Sequence, residues 1–250
     1  MIDSSRFSNA LARVSAEEEL STGIGTLSER SIHKVLKLYY EPNTDNHEIE
    51  VSGSVADILN SDGITEIQRA NFSYLVPKLR RFLPEYNVTL VYPIIGRKNL
   101  SWLNPMTGEL TEKRRCPGGK TVYDTAYELY KIRDFLGDSR LTVKVVILEC
   151  DVYKKLDGYG KDRKKHASLI ESKPRRIIEE ITLKSASDYR IFLPDGLGGD
   201  FTAEDFHRAA KSRSRYSYYS IRLLEHLGFV ARCGSKGRAF LYTLLPTENK

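Results

Sequence analysis

The feature that most constrains the fold is a hairpin pattern, "VADILNSDGITEIQ", at residues 55–68. Two apolar runs of strand length flank the turn-forming sequence "NSDG" (60–63), which is typical of a tight β-hairpin. Each run also contains an acid, Asp57 in the first and Glu66 in the second. A fully buried strand would be apolar at both positions, so the two carboxylates need a physical explanation.

The turn leaves two pairings of the strands open. If residues 60–63 form the turn, Asp57 lies opposite Glu66, whereas a turn shifted onto residues 62–63 places Asp57 opposite Gln68. Because side chains alternate along a strand with a period of two, either register puts the two acids and the glutamine on one face.

Two carboxylates on neighbouring strands repel each other, and one pKa rises sharply unless a cation lies between them. The pattern therefore predicts a divalent metal such as Mg²⁺. This ion binds one or two protein carboxylates and completes its shell with water and phosphate oxygens. The simpler alternative is a half-exposed hairpin whose outer face carries one acid on each strand.

Helical and strand patterns alternate on both sides of this hairpin. The pattern at 176–183 fits a short strand and a short helix equally well, and residues 154–176 read as a polar basic stretch. Pro77 either kinks the helix that contains it or marks its true start. The predicted helices are 26–40, 71–83 and 121–136, and the predicted strands are 47–53, 54–59, 63–68, 87–95 and 141–153.

The order of a helix, three strands, a helix and a strand, with Asp57 and the Glu66-x-Gln68 pair on the strands, resembles the PD-(D/E)XK nuclease superfamily. The resemblance implies an α/β (α+β) fold of the restriction-endonuclease type, with a mixed central sheet flanked by helices. It also implies that Asp57 and Glu66 bind Mg²⁺ or Mn²⁺. A helix glutamate, here Glu29, would complete the metal site.

Gln68 departs from the family pattern, which usually has a lysine at this position. That lysine helps to position the attacking water and to stabilise negative charge, whereas an amide can orient a water but carries no positive charge. Lys34, His33 and Lys78 are the candidates to supply the missing function.

The C-terminal residues form a second compact pattern. Thr202 and Asp205 have the spacing of a capping box that opens a helix at 202–211, and Gly228 closes a second helix at 215–227. A hairpin with a basic tip follows, so this segment resembles a winged helix-turn-helix. The predicted organisation is an N-terminal arm (1–25), a nuclease-like domain (26–191), a linker rich in glycine (192–200) and a winged-helix domain (201–250).

The net charge of +6 is unevenly distributed. Residues 1–96 carry nine basic and thirteen acidic residues (−4), residues 97–120 six and two (+4), residues 152–176 nine and three (+6), and residues 200–250 nine and five (+4). Separate basic blocks predict a polyanionic partner, DNA in the first place. The residues predicted to contact DNA are Lys161, Arg163, Lys164, Lys165, Lys211, Arg213, Arg215, Tyr218, Lys236 and Arg238. The alternatives are solvated surface charges and a winged helix used for protein contacts.

Other patterns exclude whole classes of protein. No apolar run reaches the roughly 18–20 residues that a membrane span needs, and residues 1–20 lack the apolar core of a signal peptide. Three scattered cysteines fit neither a disulfide framework nor structural zinc, so we expect a cytoplasmic protein, associated with the nucleoid if it binds DNA.

The sequence as a whole predicts a metal-dependent DNA endonuclease that hydrolyses phosphodiester bonds and is positioned on DNA by a winged helix. A catalytically inactive DNA-binding regulator with the same fold, or a nuclease that acts on RNA, is the alternative. Paired cuts in a duplex would favour a homodimer, although the sequence identifies no dimer interface.

Overall fold

The computed structural model describes residues 2–20, 30–159 and 166–246. These residues have the mixed α/β class that the sequence predicts. The α-helices are α1 (Ser4–Leu20), α2 (Arg30–Tyr40), α3 (Val76–Phe82), α4 (Ala126–Tyr130), α5 (Ala203–Ala210) and α6 (Ser214–His226). The strands are β1 (His47–Val51), β2 (Ser54–Asn60), β3 (Gly63–Ile67), β4 (Val88–Leu103), β5 (Arg114–Cys116), β6 (Leu141–Lys155), β7 (Ser168–Leu183), β8 (Phe201–Thr202), β9 (Val230–Lys236) and β10 (Ala239–Leu244).

Two sheets contain all of these strands. The larger sheet has seven strands in the order β1-β2-β3-β4-β6-β7, and β5 pairs with β4 outside this path. The first three strands form an antiparallel meander. The smaller sheet has the order β8-β10-β9 and is antiparallel.

Chain contacts divide the protein into two compact units. Unit 1 contains residues 1–67, 91–120 and 146–181, and unit 2 contains residues 68–90, 121–145 and 182–250. These units do not coincide with the predicted segments 26–191, 192–200 and 201–250, because the C-terminal helices pack with α4 inside unit 2.

The core of unit 1 lies between helices α1 and α2 and the central strands. Phe7 of α1 packs edge to face on Tyr39 of α2, with ring centroids 5.7 Å apart, and Val146 and Leu148 of β6 belong to the same buried cluster. The sequence predicts a peripheral arm at residues 1–25. Helix α1 instead places Phe7, Ala10 and Val14 in this core, because its weak apolar stripe still suffices to cover α2.

Two further predictions need correction. The basic stretch at 154–176 contains the first nine residues of β7, a strand of 16 residues that also includes the undecided segment 176–183. The helix predicted at 121–136 is three short pieces, namely a 3-10 turn (Val122–Thr125), α4 and a second 3-10 turn (Arg133–Phe135). Pro77 lies in the first turn of α3 and marks its start, as one of the two readings predicts.

The C-terminal elements follow the predicted order. Thr202 and Asp205 form the expected capping box at the start of α5, where the Asp205 carboxylate accepts the backbone N–H of Thr202 at 2.9 Å. Gly228 has a φ of 76° just after α6, a conformation that favours glycine. Strands β9 and β10 then form the predicted hairpin, in which Lys236 pairs with Ala239.

No helix within the described ranges is both long enough and apolar enough to cross a membrane. Cys116, Cys150 and Cys233 are free thiols.

Candidate functional site

The turn between β2 and β3 fixes the register of the hairpin. Asn60 pairs with Gly63, Leu59 with Ile64 and Ile58 with Thr65, so residues 60–63 form the turn. This is the first of the two predicted registers. Continued by one pair, it brings Asp57 of β2 opposite Glu66 of β3, on the sheet face that also carries Leu59 and Ile64.

Asp57 is held by groups from two elements. Its Oδ2 atom accepts the backbone N–H of Ile67 at 2.7 Å. The Nε2 atom of His33, on α2, lies 3.1 Å from the same oxygen. The side chain of Asp57 is 16% exposed and that of His33 is 30% exposed, so both are reachable from solvent while being fixed in place. Helix α2 delivers His33 because its apolar residues pack on the sheet and leave this position at the edge of the buried stripe.

Glu66 is almost fully buried, with 3% of its surface exposed. A buried carboxylate next to a second acid is costly unless hydrogen bonds or a cation compensate its charge. Glu66 interacts with other groups of the protein, so its buried carboxylate is not left without a partner.

The magnesium site that the sequence predicts has Asp57 and Glu66 as its two carboxylates. Mg²⁺ prefers oxygen ligands and often takes only one or two of them from the protein, which Asp57 and Glu66 would supply. Among the residues that the structure describes, no group of three or more His, Cys, Asp or Glu side chains is arranged to hold a metal ion. Glu29, the predicted third ligand, lies outside the described residues.

Gln68 lies one residue beyond the end of β3. Its amide nitrogen donates a hydrogen bond to the backbone carbonyl of Ala70 at 2.5 Å. Of the three residues considered as substitutes for the missing lysine, His33 is in contact with Asp57, a role that the sequence alone could not assign.

The predicted DNA contacts divide into two groups. Lys161, Arg163, Lys164 and Lys165 lie outside the described residues. The C-terminal residues are described, and all six are exposed: Lys211, Arg213, Arg215, Tyr218, Lys236 and Arg238.

The connection between α5 and α6 carries three of these cations. Lys211 caps α5 in a left-handed conformation with a φ of 48°, and Arg213 is the N-cap of α6. The Arg215 guanidinium stacks over the ring of Tyr127, 3.9 Å from its centroid, and Tyr219 packs on the same ring at 4.7 Å. One side of α6 is therefore covered by α4, while the N-terminal turn keeps its charges in solvent.

Lys236 and Arg238 lie at the tip of the β9–β10 hairpin and are exposed. The α6 N-terminus and this hairpin tip are the places where a helix-turn-helix protein with a wing contacts DNA. All six C-terminal residues lie on the exposed surface of unit 2.

Comparison with known proteins identifies the family of the chain. Residues 30–184 match the model of the family described as a domain of unknown function, DUF8091. The chain belongs to this family. The matched range begins at α2 and ends just after β7, so it includes Asp57, Glu66 and all seven strands of the larger sheet.

A relative is similar to the chain over a longer range. An uncharacterized protein of Treponema pallidum (strain Nichols) is 26% identical over 224 residues, which cover 89% of this chain and 88% of the relative. No solved structure matches the chain. The DUF8091 match thus covers the hairpin and its sheet, and the wider alignment reaches beyond it.

Proposed function

We propose that this DUF8091 protein is a Mg²⁺- or Mn²⁺-dependent DNA endonuclease. The observation that carries the proposal is the hairpin register, which brings Asp57 opposite Glu66, with Asp57 fixed by His33 and by the Ile67 amide. Two acids brought to opposite positions by the continued register, one of them buried, fit a carboxylate pair that could hold a divalent metal for phosphodiester hydrolysis.

Each residue has a defined task in this mechanism. Asp57 and Glu66 would hold the metal, and Glu29 would add a third carboxylate. A bound Mg²⁺ polarises the scissile phosphate, lowers the pKa of a bound water and offsets the charge that develops on the oxygens. His33 and the Ile67 amide hold the Asp57 carboxylate in one orientation, so that little reorganisation is needed when the substrate binds.

The C-terminal elements would position the substrate. Lys211, Arg213 and Arg215 at the start of α6, with Lys236 and Arg238 at the hairpin tip, offer five cations to phosphates. Such contacts release counterions from DNA and give binding without strict sequence preference. The proposal also assigns the protein to the cytoplasm, where its substrate would be accessible.

A second candidate is a DNA-binding regulator that has lost catalysis. It is favoured by Gln68, an uncharged residue at the position where the resembled family usually has a lysine. The amide of Gln68 donates a hydrogen bond to the Ala70 carbonyl. In this case Asp57 and Glu66 would retain a structural role in the hairpin.

The test is a cleavage assay with supercoiled, linear, branched and single-stranded DNA, and with single-stranded RNA, in Mg²⁺ and in Mn²⁺. Asp57→Asn and Glu66→Gln keep the size of each side chain and remove its charge. Asp62→Asn is the matched control, because Asp62 is an exposed acid in the turn of the same hairpin.

We expect the first two variants to lose cleavage and to retain DNA binding, and the control to cleave like the wild type. Full activity in Asp57→Asn or Glu66→Gln would refute the site. Wild-type protein that binds DNA and never cleaves it would favour the regulator, and cleavage confined to RNA would favour the RNA-directed nuclease.

A further inference from the structure

A second polar site lies on the larger sheet, away from the β2–β3 hairpin in sequence. Strands β4, β6 and β7 and the segment that includes β5 surround an open cleft of about 350 Å³. We call it the basic cleft, and its lining residues are Arg97, Asn99, Lys113, Arg115, Glu149, Arg175 and Arg176. No apolar side chain lines it.

Strand geometry explains why these residues meet. Arg97 and Asn99 are two apart on β4, and Lys113 and Arg115 are two apart in the paired segment, so each pair lies on one face. Asn99 pairs directly with Arg115 across the two strands. The basic blocks 97–120 and 152–176, which are separate in the sequence, therefore converge in one place.

Strand β7 contributes two consecutive arginines. Burial along β7 alternates up to Pro174, which is buried, and Arg175 and Arg176 are then both exposed. This slip in the alternation lets adjacent side chains reach the same cleft. A proline is tolerated here because β7 is an edge strand.

Two carboxylates hold part of the cationic array. Asp151, whose side chain is 11% exposed, accepts hydrogen bonds from Lys113 at 2.6 Å and from Asn99 at 3.0 Å, and it lies 3.6 Å from Arg175. Glu149 accepts two hydrogen bonds from Arg176, at 2.9 and 2.8 Å. The five cations thus outnumber the two acids, and the acids fix the direction in which three of the cations point.

Arg97 and Arg115 differ from the other three cations. Both are exposed, and neither forms an ion pair or a side-chain hydrogen bond with any other residue that the structure describes. Two guanidinium groups on one face, beside an excess of positive charge, offer bidentate donors that match phosphate oxygens.

We propose that the basic cleft binds the phosphodiester backbone of a nucleic acid, with Arg97 and Arg115 as the direct phosphate contacts. The proposal takes its ligand class from the proposed function. An open cleft without apolar lining lacks the surface that a nucleobase, a lipid chain or a peptide anchor would need. A backbone, in contrast, needs only an array of donors at its charges.

The chain offers a matched control on the same two strands. Lys98 and Arg114 are exposed neighbours of Arg97 and Arg115, and alternation places them on the opposite face of the sheet. The double variants Arg97→Ala/Arg115→Ala and Lys98→Ala/Arg114→Ala therefore remove the same charge from the same strands. Thermal melting of both confirms that each is folded.

The experiment measures binding of a fluorescent 20-base-pair DNA duplex and of a fluorescent single-stranded RNA, in EDTA, between 50 and 300 mM salt. We expect Arg97→Ala/Arg115→Ala to weaken binding about tenfold or more and to lower the slope of log affinity against log salt by about two. The Lys98→Ala/Arg114→Ala variant should change affinity less than about threefold.

If the two double variants lose the same affinity, the loss reflects net charge alone and the proposal is overturned. Unchanged affinity in Arg97→Ala/Arg115→Ala, or no binding by the wild type, would also overturn it. Inorganic phosphate is added as a competitor at the same total phosphate concentration as the duplex. Displacement of the duplex by inorganic phosphate would identify the basic cleft as a site for small anions, and this result would also overturn the proposal. Binding is measured without metal, so it does not depend on the result of the cleavage assay with Asp57→Asn. The nuclease proposal and the basic-cleft proposal can therefore be refuted independently.

Discussion

The Nε2 atom of His33 lies 3.1 Å from the Oδ2 atom of Asp57, and this contact ties helix α2 to strand β2. An ionised carboxylate only accepts hydrogen bonds, so the imidazole donates through Nε2. The Ile67 amide donates to the same oxygen from β3. Asp57 is therefore the residue at which a helix and two strands of unit 1 meet.

His33 should act as a positioning residue for the metal site. Replacing it with alanine removes the imidazole contact and leaves the Ile67 amide on the Asp57 carboxylate. We expect cleavage to fall about 10- to 100-fold, with a higher Mn²⁺ concentration needed for half-maximal rate. His33→Gln keeps a hydrogen-bond donor and should recover part of the cleavage rate and part of the apparent Mn²⁺ affinity. Unchanged Mn²⁺ dependence in His33→Ala would show that the contact is structural only.

Gln68 should limit the rate if the chain is an enzyme. Gln68→Lys introduces the positive charge that the amide lacks, and we expect cleavage to rise about tenfold. Gln68→Ala removes the amide donor and should lower the rate of cleavage. The two variants are compared by single-turnover cleavage of one duplex, and identical rates for all three proteins would place Gln68 outside the catalytic machinery.

The hairpin could be predicted from sequence because its signals are local. A turn-forming tetrapeptide and alternation of period two limit β2 and β3 to two registers and put both acids on one face in either, and the structure has the register with the turn at residues 60–63. The capping box at Thr202 and Asp205 is local for the same reason. The turn sequence and the strand alternation therefore predict that Asp57 and Glu66 lie on one face of adjacent strands.

The features that the sequence did not reveal depend on contacts between distant segments. Strand β7 reads as a basic loop, since its charges are explained only when Glu149 and Asp151 of β6 pair with them. The predicted helix 121–136 is divided into α4 and two 3-10 turns, and α4 packs on the distant α6, a contact that local periodicity does not report. His33 could be proposed as a substitute base, but its contact with Asp57 requires the fold.

The start of α6 should contribute to DNA binding independently of metal. Lys211→Ala/Arg213→Ala removes two exposed cations, and we expect weaker binding with a salt slope lower by about two. Arg208→Ala is the control, because Arg208 is exposed on α5 and is paired with Glu204 and Asp205. Fluorescence anisotropy with one duplex measures all three proteins, and equal affinity in the double variant and the wild type would contradict the prediction.

Asp151 should make stability depend on pH. Burial alone would raise its pKa, but hydrogen bonds from Lys113 and Asn99 and the charges of Lys113 and Arg175 outweigh burial, so the pKa of Asp151 is lowered. A carboxyl group whose pKa is lower in the folded state stabilises the fold above its unfolded pKa of about 3.9. This contribution is lost as the pH falls through the lower folded value.

We therefore expect Asp151→Asn to lower the free energy of unfolding by about 2 kcal/mol at pH 7. The difference from the wild type should shrink below about pH 4, where the Asp151 carboxyl group takes up protons in the unfolded chain and is still ionised in the folded protein. Urea unfolding at pH 7, 5 and 3.5 measures it, with Asp62→Asn as an exposed control. A difference that stays constant down to pH 3.5 would show that packing, and not charge, is lost.

Gly119 should be intolerant of any side chain. A Cβ atom there would lie 1.7 Å from the backbone oxygen of Gly96, which is closer than any real contact, so one backbone must move. The backbone hydrogen bond from Lys120 to Ile95, 3.0 Å long, fixes the two segments at this approach. We expect Gly119→Ala to lower the free energy of unfolding by about 3 kcal/mol.

The same displacement would shift Arg97, the residue after Gly96, relative to Arg115. DNA binding in EDTA should therefore weaken in Gly119→Ala under conditions where the protein is still folded. Gly198→Ala is the control, because a Cβ atom there meets nothing within 4 Å and its φ is not in the left-handed region. Wild-type stability in Gly119→Ala would show that the segment after β5 relaxes freely, and the basic cleft would then not depend on this close backbone contact.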